Sequence, residues 1–271
     1  MLTRLIKVWR FIRSIKPETV LDRILAFMDG KGEDLPRLLE ASPDAKPRQP
    51  FSVALPDGMR PALATTSLRQ RAKLLRTMPF LMFRMVRGGR FYSDPIASKP
   101  RDASPELFEE IEALARSMGA VDVAYVRDIQ PDEVFEGKSL PVRHAIIFSV
   151  EMDRDELAGA PSFEAFHEVA KGYKRMAYIA DALSELLTRH GHAAFPGTSL
   201  GGLTDYVALA ERAKMGAIGY HGLLIAPDAG ARVRLNTVYT DIENLPEREE
   251  DPHAWVRDFC AQCNRCIRSC P

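Results

Sequence analysis

The chain has 271 residues, 46% of them hydrophobic, which is enough for one or two domains with a sizeable core. Its 37 basic and 37 acidic side chains cancel overall, yet residues 1–100 hold 19 Lys and Arg against 9 Asp and Glu, leaving 18 against 28 for the remainder. All four cysteines fall within the last dozen residues, which excludes a disulfide-stapled secreted domain and points to a metal site in a reducing compartment.

A basic front suits an anionic membrane surface, a nucleic acid, or the acidic body of the same chain. In residues 1–16, Leu2, Leu5, Ile6, Trp9 and Ile12 recur at helical spacing, opposite Arg4, Lys7, Arg10 and Arg13. This predicts a basic amphipathic helix closed by Pro17, either docked on its own protein or making a peripheral membrane contact. No signal peptide, no twin-arginine pair near the start and no apolar run of membrane-spanning length stands in the sequence. The expectation is a cytoplasmic protein, with the membrane surface as the one alternative. No groove-reading motif accompanies the basic third, so nucleic acid is not expected as a partner.

Residues 30–70 are rich in Pro, Gly, Asp and Arg and predict a loop-rich connection. The stretch LLRTMPFLMFRMVRGGRF then mixes bulky apolar residues with Arg84, Arg87 and Arg90, fit either to cover a core or to form a greasy basic surface. Regular structure begins after residue 100. Ser104 and Pro105 predict a helix start; Leu107, Ile111, Leu114 and Met118 form its apolar face and Gly119 its end. VDVAYV and RHAIIFSVEM predict buried strands. FEAFHEVAKGYKRMAYIADALSELLTRHG predicts one long helix or a pair ended by Gly191, and DYVALAERAKMGAIG another helix. YHGLLIAPDAGARVRLNTVYTD predicts two strands around a turn at Pro227–Gly230. This alternation predicts an α/β or α+β layered fold over about residues 104–245.

The last cysteines run Cys260-x2-Cys263-x2-Cys266-x3-Cys270-Pro271, the spacing of a bacterial ferredoxin. Three thiolates two residues apart wrap one corner of a cubane, and the fourth turns toward a neighbouring cluster. Zinc sites also use Cys-x2-Cys, but in two separated pairs, so iron–sulfur fits better. A second run would complete a two-cluster module; the sequence ends first, and the expectation is a truncated product.

With these motifs in view, YIADALSELLTRHGHAAFPG, AERAKMGAIGYHGLLIAPDAGARVRLNTVYTDI and the cysteine run resemble the corrinoid-dependent reductive dehalogenase family, and more distantly epoxyqueuosine reductase. The resemblance covers about residues 104–271. It implies a nitroreductase-like corrinoid-binding core at 101–250, the start of a ferredoxin-type module at 251–271, and an unmatched basic region at 1–100. It also implies two 4Fe–4S clusters in the complete protein, a cobalamin that reduces an organic, halogenated substrate, and a redox partner protein as electron donor. Cys260, Cys263, Cys266 and Cys270 are the implied metal ligands, and Gly222, Leu223, Leu224 and Ile225 the implied corrinoid-lining strand.

The resemblance further implies a tyrosine acid on the long helix, with Tyr173 the candidate and Tyr178 the fallback. The family places an Arg or Lys just before the GLLI strand to activate that tyrosine. This sequence has Tyr220 there, followed by His221, itself a candidate acid, cobalt ligand or structural residue. The Asp-Tyr-His stretch of epoxyqueuosine reductases is missing. Arg232 and Arg234 stand as candidates to hold a phosphate or corrinoid side chain, or to pair with Asp241. The rival reading is an iron–sulfur electron-transfer or membrane-associated protein that keeps the fold without corrinoid chemistry.

Overall fold

The computed structural model of the chain describes residues 38–45, 66–93, 99–198 and 202–269. The helix expected over residues 1–16 and most of the loop-rich connection lie outside the described residues. In chain order the described helices are α1 Leu68–Gly88, α2 Arg90–Ser93, α3 Pro105–Ser117, α4 Arg154–Ala158, α5 Phe163–Arg189, α6 Tyr206–Arg212, α7 Trp255–Cys263 and α8 Arg265–Ser269. The strands are β1 Leu39–Glu40, β2 Asp122–Val126, β3 Ser139–Leu140, β4 His144–Glu151, β5 Ala194–Pro196, β6 Ala217–Ile218, β7 Leu224–Ile225 and β8 Val233–Thr240.

The main sheet has the order β2-β4-β8-β5 and is antiparallel throughout. Its spine is the β4–β8 ladder, paired over its whole length from His144 with Thr240 to Glu151 with Val233. The near-continuous apolar run in β4 has a direct cause: both faces of the sheet are covered. Ile146, Phe148 and Val150 point into one core, Ala145 and Ile147 into the other. Mixed helices and antiparallel strands in layers match the α+β form of the expected fold class.

α3 and α5 cover the first face. Leu107, Ile111 and Ala115 of α3 meet Met176, Ile179, Leu183 and Leu187 of α5 over Val123, Phe148 and Val238. Ser104 does sit at the N-cap of α3, but its side chain makes no capping hydrogen bond. α5 is one unbroken helix, started by Ser162 Oγ accepting from the Ala165 amide. Gly191 follows its end at φ +77°, where a Cβ would stand 2.7 Å from the Arg101 guanidinium. The second face is covered by α6, through Leu209 and Ala210, with Met215, Leu224 and the loop residues Ile129, Val134 and Val142.

Two expectations change here. The helix predicted over DYVALAERAKMGAIG stops at Arg212, because Lys214 takes a left-handed backbone (φ +59°) and the chain turns into β6. The turn at 227–230 forms, with the Gly230 amide bonded to the Ala226 carbonyl, yet the flanking strands do not form a hairpin ladder. β7 pairs with β6, and β8 joins the main sheet.

α1 lies along α5. A reciprocal capping box between Ser67 and Gln70 starts it. Its inward side carries Leu74, Thr77 and Leu81, then a row of arginines. Asp181 of α5, only 1% exposed, receives Arg84 at 2.5 Å and Arg87 at 3.2 Å, with Arg90 at 3.7 Å. Glu185, one turn further on, pairs with Arg87 and Arg90. For these arginines the basic front meets the acidic body of the same chain.

Asp181→Ala is expected to cost about 2–3 kcal/mol in urea unfolding, less than a fully buried pair because the arginines retain water. A loss under about 0.5 kcal/mol would show that apolar contacts alone dock α1. His144, His167 and His192 are each pulled below their ordinary value of 6.5, first of all by burial. A depressed folded value favours the neutral ring in the folded state. Stability is therefore expected to be flat above about pH 6.5 and to fall as pH drops through the folded values of these rings. Unfolding midpoints collected across that range check the sign.

Candidate active site

The alternation of β8 positions the first element of the site. Val233, Leu235 and Tyr239 join the second core, so Arg234 and Val238 face α5. Tyr173 projects from α5 toward the same side, half-buried against the first core. The Arg234 guanidinium lies over the Tyr173 ring, 4.9 Å from its centroid, and its Nη1 donates to Tyr173 Oη at 3.2 Å. Its Nε lies 3.3 Å from Met152 Sδ, which steadies the stem. Gly172 leaves room for this approach: a Cβ there would sit 3.3 Å from Arg234 Cγ and 3.6 Å from Met152 Cγ, a tight fit.

Around this pair the charges alternate. Arg232 binds Glu151 at 2.5 Å and the Met152 carbonyl at 3.1 Å. Lys171 and Arg175 meet Glu168, which is almost wholly buried and also accepts the Asp153 amide at 3.0 Å. The expected pairing of Arg232 or Arg234 with Asp241 is not found. Asp241 lies further along the chain past β8 and accepts the amides of Lys99 and Ala193 instead, with His192 Nδ1 at 3.6 Å. A phenol held against a fixed guanidinium can hand on a proton while the cation stabilises the negative charge left on the oxygen. The cation found beside Tyr173 is Arg234 of β8, not a residue just before Gly222. The signal in the sequence was the period-two pattern of VRLNTVYT, which puts Arg234 on the face of Val238.

The other predicted residues separate into two places. Tyr178 is under α1, with the Arg84 guanidinium 4.2 Å above its ring. Tyr220, His221, Gly222 and Leu223 form the tip of the β6–β7 hairpin, where the Gly222 amide bonds to the Gly219 carbonyl and the His221 Nδ1 accepts from the Leu223 amide at 3.1 Å. Tyr220 and Leu223 are about half exposed, at 50% and 51%. Gly222 adopts φ +76° with nothing within 4 Å of where a Cβ would be. Leu224 turns inward to the second core at 2% exposure, and Ile225 follows at its edge. Among the described residues, no hydrogen bond, ion pair or ring contact links Tyr173 to Tyr220 or His221.

Three tyrosines absent from the sequence-based candidates lie on the second face, Tyr239 buried and Tyr92 and Tyr206 partly so. Tyr92 donates to the Pro196 carbonyl at 2.7 Å, Tyr206 to the Thr198 carbonyl at 3.3 Å, and Tyr239 shares a hydrogen bond with Thr204 at 2.8 Å. Burial pushes all three phenols up from their ordinary range. They hold the fold together as neutral groups.

Cys260 and Cys263 lie on α7, half-buried, and Cys266 on α8, exposed; Cys270 and Pro271 are outside the described residues. Asn264, at φ +48°, breaks the two helices apart. Thiol donors at this spacing fit an iron–sulfur cluster in kind. Among the described residues, however, no three His, Cys, Asp or Glu side chains converge on a point that could hold a metal ion. The helical form of the run does not itself make the cage. At the hairpin tip, open space lies beyond Gly222 and the Leu223 side chain is exposed, so nothing in the chain blocks a bulky group there.

No protein-family model matches the chain. It is 34% identical over 157 residues to a tetrachloroethene reductive dehalogenase of Dehalobacter restrictus, an alignment covering 57% of this chain and 27% of that protein. It is 41% identical over 71 residues to an epoxyqueuosine reductase of Listeria monocytogenes, covering 26% of this chain and 17% of that one. Among solved structures, the catabolic reductive dehalogenase NpRdhA in complex with 3-bromo-4-hydroxybenzoic acid superposes with a TM-score of 0.63 at 20% identity, over 88% of this chain and 37% of that one. The chain is similar to reductive dehalogenases and, over a shorter stretch, to epoxyqueuosine reductases. It shares the dehalogenase fold and spans about a third or less of the length of these proteins.

Proposed function

We propose that the chain is the core of a corrinoid- and iron–sulfur-dependent reductase of the reductive dehalogenase type. The observation that carries this reading is the Tyr173–Arg234 pair: a phenol with a guanidinium donating to its oxygen, set between α5 and β8 of a dehalogenase-like fold. Residues 101–250 are read as a nitroreductase-like core, 251–271 as the start of a ferredoxin-type module, and 1–100 as an appended basic region. Cys260, Cys263, Cys266 and Cys270 would ligate 4Fe–4S iron, and Gly222 and Leu223 would border a cobalamin. Those groups supply the electrons for reduction when bound.

The protein's own part is proton delivery and placement. Tyr173 Oη holds the proton. Arg234 fixes the orientation of the phenol and offsets the negative charge that develops on its oxygen as the proton leaves. Arg232, Arg175 and Lys171 keep the surrounding carboxylates neutralised, so that no free anion competes for Arg234. The substrate class is a small organic halide, since the relatives' names point to tetrachloroethene and a bromohydroxybenzoate ligand. A redox partner protein would deliver the electrons. No described helix is long and apolar enough to cross a membrane, and a cytoplasmic site of action is proposed with it.

In the holoenzyme, Tyr173→Phe is expected to lower turnover about a hundredfold or more while iron and cobalt content stay at parental levels. Tyr178→Phe, beneath α1, should turn over within about twofold of the parent. Parental turnover in Tyr173→Phe would remove Tyr173 from the mechanism.

A further inference from the structure

The tip of the β6–β7 hairpin and the cysteine helix α7 meet through one side chain. Glu211 stands in the last turn of α6, its side chain 22% exposed. Its Oε1 accepts the Ile218 amide at 2.8 Å, and its Oε2 accepts from the Arg257 guanidinium at 3.2 Å. Ile218 ends β6. The next residue, Gly219, closes the tip, donating to the Leu223 carbonyl at 3.0 Å and accepting the Gly222 amide at 2.9 Å. Arg257 stands three residues before Cys260 on α7. Val256, Cys260 and Cys263 recur at steps of four and three residues and so share one face of that helix. Val256 is buried where α7 packs on β6, and both cysteines on its face are half-buried.

We propose that Glu211 is a positioning residue that ties the hairpin tip to the cysteine-bearing face of α7. This rests on the corrinoid reading above, under which the same carboxylate holds the cluster ligands at a fixed distance from the corrinoid edge. An exposed ion pair by itself contributes little, because two long side chains must be ordered to make it. Here a backbone amide already anchors the carboxylate, so that part of the ordering is complete before Arg257 binds. The chain leading into α7 is gripped at the same corner. Lys214 Nζ donates to the Arg248 carbonyl at 2.6 Å and to the Glu249 carbonyl. Arg248 donates back to the Lys214 carbonyl at 3.0 Å and pairs with Asp122 at 2.6 Å. The turn between α6 and β6 therefore holds both the approach to α7 and α7 itself. Transfer between two bound groups depends on their separation, and a shift of about 1 Å in a held geometry can cost a hundredfold in rate.

Hydrogen exchange of individual amides in the whole chain, without cofactors, reads the link itself. Glu211→Ala removes both contacts and is expected to speed exchange at Ile218 about tenfold. Glu211→Gln keeps one carbonyl for the Ile218 amide but offers no second acceptor to Arg257. It and Arg257→Gln should leave Ile218 as in the parent and speed the α7 amides about threefold. Parental exchange at Ile218 in Glu211→Ala, or at α7 in Arg257→Gln, overturns the proposal. In the holoenzyme, the rate at which the reduced cluster passes one electron to cobalt should fall about tenfold in Glu211→Gln and in Arg257→Gln, and no further in the double variant. Iron, cobalt and unfolding midpoint should stay at parental values. Parental rates in both single variants overturn the proposal, and so does a slowing that comes with lost metal. A parent that binds no cobalt refutes the corrinoid reading instead, and the exchange comparison then decides the link alone.

Discussion

The register of the β4–β8 ladder is the constraint on which the rest depends. Eight consecutive pairs lock it, and both faces of the two strands are buried. A slip of one residue would exchange the faces of β8 and bring Leu235, in place of Arg234, under α5. It would also turn Val238 out of the first core and Tyr239 out of the second. Packing along the ladder therefore decides where the Arg234 guanidinium stands, and through it which group faces Tyr173.

α5 is the element that joins the site to the remainder of the molecule. One side packs on the sheet through Met176, Ile179, Leu183 and Leu187. Another holds Asp181 and Glu185 against the arginines of α1. Tyr173 is on the sheet side and Tyr178 on the α1 side, which explains why two tyrosines five residues apart have different neighbours. The carboxylate at Asp181 is too buried to exist without cations, and the arginine row of α1 supplies them.

Much of this architecture was legible in the sequence, for identifiable reasons. β2 and β4 announced themselves as continuous apolar runs, and α3 and α5 as helical periods with Gly119 and Gly191 beyond their ends. Spacing alone marked the cysteine run. Pairings were not legible. Arg84 and Asp181 are separated by 97 positions and Tyr173 and Arg234 by 61, and neither periodicity nor composition reports such contacts. The two-residue strands β6 and β7 carry too few residues to show a period, so the sequence showed two strands around the 227–230 turn without β6 as the partner of β7. Tyr173 itself came from family resemblance, and the alternation of β8 sets only the sheet face that Arg234 occupies, not the residue it meets.

The central claim is that this core works with both iron–sulfur and corrinoid. The most direct measurement is anaerobic reconstitution of the holoenzyme, with a complete ferredoxin-type module, with iron, sulfide and cobalamin, followed by gel filtration and determination of iron and cobalt in the protein peak. The account predicts that both metals travel with the protein, with the visible and paramagnetic signatures of a cluster and a bound corrinoid. Iron retained without cobalt would contradict it and leave an iron–sulfur protein on a dehalogenase fold.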